Sequence, residues 1–360
     1  MGYHRDADSF GTLSIFEGEM RRRFWAAVKQ MDLMMSFQLG LPSNINIEQC
    51  DTKSPRNLLD SDFDEDTQVL PASRSENEAT RLLWFVVKDR QMISFGKVCQ
   101  DALSSKEKSE IEILRLDKEI RRMHDTTPDV LRTKPLSESI ADPGYLIMTR
   151  AFIEFIYLKS LCALHRRYMA RGDMFSTRSC VEAGMKLVSQ FIDIYKEFSP
   201  GGQLYMERWM LTNFTMNDFL LGIMVLCLVL HLRWKKGRLG SVINTTAENE
   251  VLGLLKESHT ICLEKSTISR DALRVSHAIR LTLNIARQAD GEAKINSQLS
   301  SISLPHPPVG KSAAGEPYGV GPASLLLQGR HNHIQGEEAA FGALDVTSLF
   351  LFSRYLALIF

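Results

Sequence analysis

With 360 residues, 44% of them hydrophobic and 24% charged, the chain has the composition of a globular protein and enough apolar material for a core, which excludes the disordered class. Lys plus Arg and Asp plus Glu both number 43, so no net field draws the chain to nucleic-acid phosphates or an anionic membrane. The six cysteines, at 50, 99, 162, 180, 227 and 262, lack the C-x2-C spacing of a structural zinc site, and no basic stretch followed by an apolar run opens the chain. Reduced thiols, an intracellular setting and no zinc cluster in this chain are expected.

Ser14 and Glu17 form a capping box, and Phe16, Met20, Phe24, Val28 and Met31 recur on one face, read as the core face, until Gly40 and Pro42. The Met31, Met34, Met35 stripe is read as core, with a pliable ligand or partner surface as the alternative. Residues 41–74 lose the period and collect Pro, Asn, Ser and Asp, as in an ordered loop wrapped over the first helices. Ser75 and Glu78 then open a helix carrying Leu82, Leu83, Val86, Val87, Ile93 and Val98. A third spans residues 106–124 on Ile113, Leu116, Ile120 and Met123, and stops at Thr126-Thr127-Pro128.

Asp142-Pro143 reads as an N-cap with proline in the first turn, opening an apolar helix over 146–169. Helices over 176–198, 215–235, 247–265 and 270–288 follow, the last built on Leu273, His277, Arg280, Leu281 and Ile285. The apolar run 219–230 falls short of the roughly 20 residues that span a bilayer, so it is read as a helix buried on all sides. No segment alternates strictly, so an all-α fold without sheet is expected. Residues 289–340, with Leu304-Pro305-His306-Pro307-Pro308, read as a disordered linker, and 341–360 as an apolar tail.

Chemistry is sparse. Arg21, Arg22 and Arg23 follow Glu17 and Glu19 at pairing distance on one helix, so they read as paired charges joining this helix to the 41–74 loop rather than as a phosphate patch. Asp60, Asp62, Asp64, Glu65 and Asp66 form a dense carboxylate cluster, but in a loop and without the second metal motif that an all-α Mg2+-dependent cyclase needs; Leu221 follows Asn217-Asp218 where that motif has serine. His4, His165, His231 and His277 are dispersed, with His165 read as an interhelical hydrogen-bond partner, and no nucleophile elbow, phosphate loop or Ser/His/Asp arrangement is readable.

His4-Arg5-Asp6, the stretch Phe16-Glu17-Gly18-Glu19-Met20-Arg21-Arg22-Arg23-Phe24-Trp25, Leu39-Gly40-Leu41-Pro42 and the acidic loop closing on Leu70-Pro71 together resemble the regulatory domain of fungal binuclear-zinc-cluster transcription factors. Leu164-His165-Arg166-Arg167-Tyr168, Cys180-Val181-Glu182-Ala183 and Asn217-Asp218-Phe219 extend the resemblance, in order, over residues 1–288. It implies an irregular all-α helical array, with the first helices of the domain lying before Tyr3, and a nuclear regulator of metabolic or secondary-metabolite genes. The expected partners are proteins, a zinc-cluster factor among them, and a small effector; no cofactor, no membrane and no sequence-specific DNA binding by this chain are expected. Trp25, Met31 and Trp84 are the candidate effector or partner groove, and His4, Arg5, Asp6, Glu19, Arg21 and Arg22 the candidate structural polar network. An all-α biosynthetic enzyme, using the acidic loop or Asp218, and a truncated remnant are the rival readings.

Overall fold

The computed structural model describes residues 2–106, 108–236 and 244–301. Among these residues there are eight α-helices and no strand: α1 (Ile15–Leu39), α2 (Leu83–Leu103), α3 (Glu110–Asp125), α4 (Gly144–Ala170), α5 (Met174–Lys196), α6 (Asn213–Lys236), α7 (Thr245–Lys265) and α8 (Arg270–Ser301). The chain divides into a unit of Met1–Ile285 and a second from Ala286. In the first, α4 packs against α2, α3, α5 and α6; α1 lies on α2, and α7 on α5 and α6. The all-α array read from the sequence is what the described residues form.

Local rules set the helix ends. Both halves of the Ser14/Glu17 capping box form, and α1 stops at Gly40, whose φ of 67° is left-handed backbone that glycine adopts without strain. Because two otherwise orphaned amides depend on that box, Ser14→Ala is expected to lower stability by about 1 kcal/mol, read as a shift of the urea midpoint at unchanged slope. Ser109 and Glu112 repeat the device on α3, so this helix begins at Glu110 rather than at residue 106. At α4 the proline itself caps and Asp142 turns aside to bind Arg150. Gly144 then lets the Glu207 side chain lie on the helix start, where a Cβ would stand 2.3 Å from its carboxyl carbon. A carboxylate there meets the positive end of the helix dipole.

Four sequence expectations are overturned. The stripe of Met20, Phe24 and Met31 faces outward, 42%, 55% and 47% exposed, while Gly18, Glu19, Arg22, Ala26, Gln30, Leu33, Met34 and Phe37 are buried. Phe24 is therefore not a core residue; the polar face turns in because distant groups satisfy it. Ser75 and Glu78 form a turn rather than a helix start: Glu78 binds Arg74, Asn57 Nδ2 donates to the Ser75 carbonyl, and α2 begins only at Leu83, with Ile93 exposed. On α8 the buried positions are Ala272, Val275, Ser276, Ile279 and Thr282, whereas Leu273, His277, Arg280 and Leu281 are exposed. That helix also runs to Ser301, so residues 289–301 are helical; the remainder of the expected linker and the apolar tail lie outside the described residues.

The loop after α1 is tied down, with Leu58 and Phe63 buried, the Asn57 amide donating to the Ser73 hydroxyl and its side chain donating to the carbonyls of Arg74, Ser75 and Glu78. Helix α6 as a whole is long and apolar enough to cross a membrane, unlike its central run alone, yet 83% of that stretch is buried. Phe219 stacks on Phe191 of α5 at 4.0 Å, and α4, α5 and α7 cover the helix.

Candidate functional site: the charged interior of the array

Two sets of buried charge stand out. The first lies where the N-terminal segment meets α1. Arg22 donates from Nε to Asp6 Oδ2 at 3.0 Å and from Nη2 to Asp6 Oδ1 at 2.7 Å, and also reaches Asp8 at 2.8 Å. The amides of Lys53 and Asp8 complete the shell of Asp6. Burial works to raise the Asp6 pKa, but the Arg22 hydrogen bonds and the two amides outweigh it and hold the carboxyl well below the usual range. Asp51 binds Arg5 at 2.9 Å and the Asp6 amide at 2.7 Å, and its own amide donates to the His4 carbonyl; the His4 side chain is exposed.

Arg21 donates to the Gly2 carbonyl and lies over the rings of Tyr3 and Phe10 at 4.4 and 4.7 Å. Glu19, fully buried, accepts from the Arg56 amide at 2.9 Å and faces Arg23 at 3.6 Å; burial pushes its pKa up against those contacts. Two carboxylates of the acidic loop are engaged, since Asp60 holds Arg23 at 2.7 Å and Asp62 holds Arg74 at 2.6 Å, which brings Asp62 down to about 2. His4 through its backbone, and Arg5, Asp6, Glu19, Arg21 and Arg22 through their side chains, thus sit in one polar region around the start of α1.

Trp25, Met31 and Trp84 are not brought together. At 100° per residue Trp25 and Met31 lie about 120° apart on α1, and Trp84 packs on Phe152 of α4 with Lys88 over its ring.

The second set runs along α4, a helix buried on nearly every side. Lys159, 2% exposed, reaches Asp218 Oδ1 of α6 at 2.9 Å and Oδ2 at 3.1 Å, with the ring of Phe95 at 5.0 Å. Burial raises the Asp218 pKa, opposed by the Lys159 charge. On α2, Lys88 is pushed down to about 8 by burial and then by the like charge of Lys159. The Lys159–Asp218 pair thus joins α4 to α6 in the interior. One turn toward the start of α4, Glu154 binds His124 of α3 at 2.8 Å and Lys186 of α5 at 2.6 Å.

Farther along, His165 Nε2 lies 2.9 Å from Asp117 and its Nδ1 3.0 Å from Ser176 Oγ. Sequence reading missed this Ser–His–Asp chain because its members come from α5, α4 and α3, with no local motif to mark it. It is a clamp rather than a catalytic group: His165 and Ser176 are fully buried and Asp117 is 5% exposed, so no carbonyl substrate reaches the hydroxyl. The cysteines are free thiols, five of them buried, and burial pushes Cys99 and Cys162 up to about 12. Among the described residues no three His, Cys, Asp or Glu side chains are grouped to hold a metal ion.

The open cavity nearby, of about 220 Å³, is lined by Lys108, Ile113, Leu114, Tyr168, Arg171 and Phe175, so it touches α3, α4 and the start of α5. Phe175 lies between it and the clamp, its ring 5.4 Å from that of His165.

Comparison with known proteins places these features. The chain is 36% identical over 296 residues to the Zn(2)-C6 fungal-type transcription factor pigI of Monascus ruber, covering 80% of this chain and 36% of that protein. It is 32% identical to the Zn(2)-C6 fungal-type transcription factor mpsB of Macrophomina phaseolina, over 85% of this chain and 41% of the relative. With the equisetin cluster transcription factor eqxF of Fusarium heterosporum the identity is 32%, over 83% of this chain and 43% of the relative. The chain spans about two fifths of the length of these curated relatives. No solved structure matches it. Residues 1–131, which hold the N-terminal charge network, α1, α2 and α3, match the family described as Fungal specific transcription factor domain.

Proposed function

We propose that this chain regulates the transcription of secondary-metabolite genes in the nucleus, through protein partners and without reading DNA sequence itself. The observation that carries the reading is the extended identity to named fungal transcription factors, among them the equisetin cluster transcription factor, which continues far past the matched domain to about four fifths of the chain. The interior agrees with a regulator. Its charges are satisfied across helices rather than displayed in an open catalytic cleft, and two of the five carboxylates of the acidic loop, Asp60 and Asp62, are spent on Arg23 and Arg74. A small effector entering the cavity beside Phe175 touches three helices at once, and it shifts their packing to the extent that it binds two arrangements unequally.

The test joins the full chain to a heterologous DNA-binding domain placed before a reporter gene, with a gel shift of the unfused chain run beside it. Reporter transcription is expected to change several-fold, while the unfused chain, with its net charge of zero, treats a promoter fragment and a random duplex alike at physiological salt. An unaltered reporter would remove the regulatory reading. A sequence-dependent shift by the chain alone would remove the claim that it does not read DNA.

A further inference from the structure

We infer that the face of α2 between Trp84 and Phe95 binds an organic acid, its carboxylate held by Lys88 and Gln91 and its apolar body laid beside Trp84. At 100° per residue, Trp84, Lys88, Gln91 and Phe95 fall within a sector of about 60°. Both ends of that face lie against α4: the Trp84 ring is 6.4 Å from that of Phe152, and the Phe95 ring lies 5.0 Å from the Lys159 ammonium. Lys88 and Gln91 stand between these two contacts and one turn apart, so their side chains are neighbours on the helix surface.

Both carry polar groups that the fold leaves unanswered. Gln91 is 5% exposed, yet neither its Oε1 nor its Nε2 has a hydrogen-bond partner among the described residues. Buried side-chain amides are almost always bonded, so this one points to a group bound beside it. Lys88, half-buried, has the Trp84 ring at 5.6 Å and no carboxylate within ion-pair distance among the described residues.

The charges fix the sign of the ligand. Asp218 is already held by Lys159 at 2.9 Å, and at Lys88 the repulsion from Lys159 outweighs the attraction of Asp218. One ammonium is left over in a positive field, and one negative charge balances it. A monoanion fits better than a phosphate, whose second charge would feel Asp218 in apolar surroundings. The Gln91 amide narrows the class further, since Nε2 donates to a carboxylate oxygen while Oε1 accepts from a hydroxyl or N–H carried next to it. A 2-hydroxy acid or an N-acylated amino acid with an aromatic side chain has these parts. The site is separate from the cavity beside Phe175, which no residue of α2 lines, and it does not rest on the regulatory reading.

The probe is 3-phenyllactate, with 3-phenylpropanoate, 3-phenyllactamide and inorganic phosphate as comparisons, each titrated calorimetrically into the full chain. Phenyllactate is expected to bind saturably below about 10 mM, phenylpropanoate several-fold more weakly, and the amide and phosphate not at all in that range. Lys88→Met is expected to weaken phenyllactate binding about 30-fold and Gln91→Leu about 10-fold. Without ligand, Lys88→Met is expected to raise the urea midpoint, because it removes a buried charge that the fold does not balance. Phenyllactate is also expected to protect Lys88 from trace acetylation by acetic anhydride, read by mass spectrometry, which places the ligand without any substitution. No saturable binding, equal binding of the amide or of phosphate, or an unprotected Lys88 would each overturn the proposal. So would undiminished binding by folded Lys88→Met or a lower midpoint for that variant. Undiminished binding by Gln91→Leu would show an amide bonded to ordered water only, and would overturn the assignment too. Should either variant fail to fold, the protection of Lys88 in the unaltered chain still decides.

Discussion

Asp218→Ala is expected to lower the stability of the chain by about 3–5 kcal/mol, the largest loss among the substitutions considered, because it strands the Lys159 ammonium inside the array. Lys159 is 2% exposed and its contacts with Asp218, at 2.9 and 3.1 Å, are made between α4 and α6, where water cannot replace the lost carboxylate. The rings of Phe95 and Phe37 lie 5.0 and 5.9 Å from the ammonium and offset part of the loss, yet an aromatic face is a weaker partner than a carboxylate. The like charge of Lys88 adds to the loss, since the Asp218 charge no longer offsets it.

The decisive comparison is the double variant Lys159→Met with Asp218→Leu. Removing both charges also removes both desolvation costs, so this protein is expected to unfold at a urea midpoint near or above that of the unaltered chain. If Asp218→Ala alone shifted the midpoint by less than about 1 kcal/mol, water would have to reach Lys159, and the burial of this pair would be wrong.

The backbone plan was legible in the sequence because it is written in local signals. Ser14 with Glu17 and then Gly40 give both ends of α1, the Pro143 region gives the start of α4, and the aliphatic density of α4 and α6 gives their central place. The pairings along α4 were not legible, since they join residues far apart in the chain, Lys159 to Asp218, Asp117 to His165 and Glu154 to His124, although His165 was readable as an interhelical hydrogen-bond partner and the arginines of α1 as partners of the following loop. Helix α1 shows why periodicity misled. Its inner face carries Glu19, Arg22 and Gln30, which look exposed until Asp6, the Arg56 amide and the Phe85 carbonyl are known to meet them. A hydrophobic period reports that a face is apolar, not that the same chain covers it.

Arg22→Met tests that inverted face, and it is expected to cost about 3 kcal/mol at pH 7, since it leaves the Asp6 carboxylate buried with only amide donors. Methionine keeps an aliphatic stem of similar reach, so the loss reports the charge rather than the packing. The pH dependence separates the two further. In the unaltered chain the Asp6 pKa lies well below its unfolded value of about 3.9, so its contribution is fully present above that value and is lost as pH falls through the lower, folded one. Without Arg22, burial becomes the dominant influence and the folded pKa of Asp6 rises, so the variant no longer gains from ionising this group. The gap between the two proteins should therefore be widest near neutrality and narrow below about pH 4, where Asp6 takes up a proton and an unpaired carboxylate is no longer buried. Urea midpoints at pH 7 and pH 3 measure this directly. A gap that stayed constant between them would assign the role of Arg22 to its stem, and the N-terminal segment would then be held to α1 by packing alone.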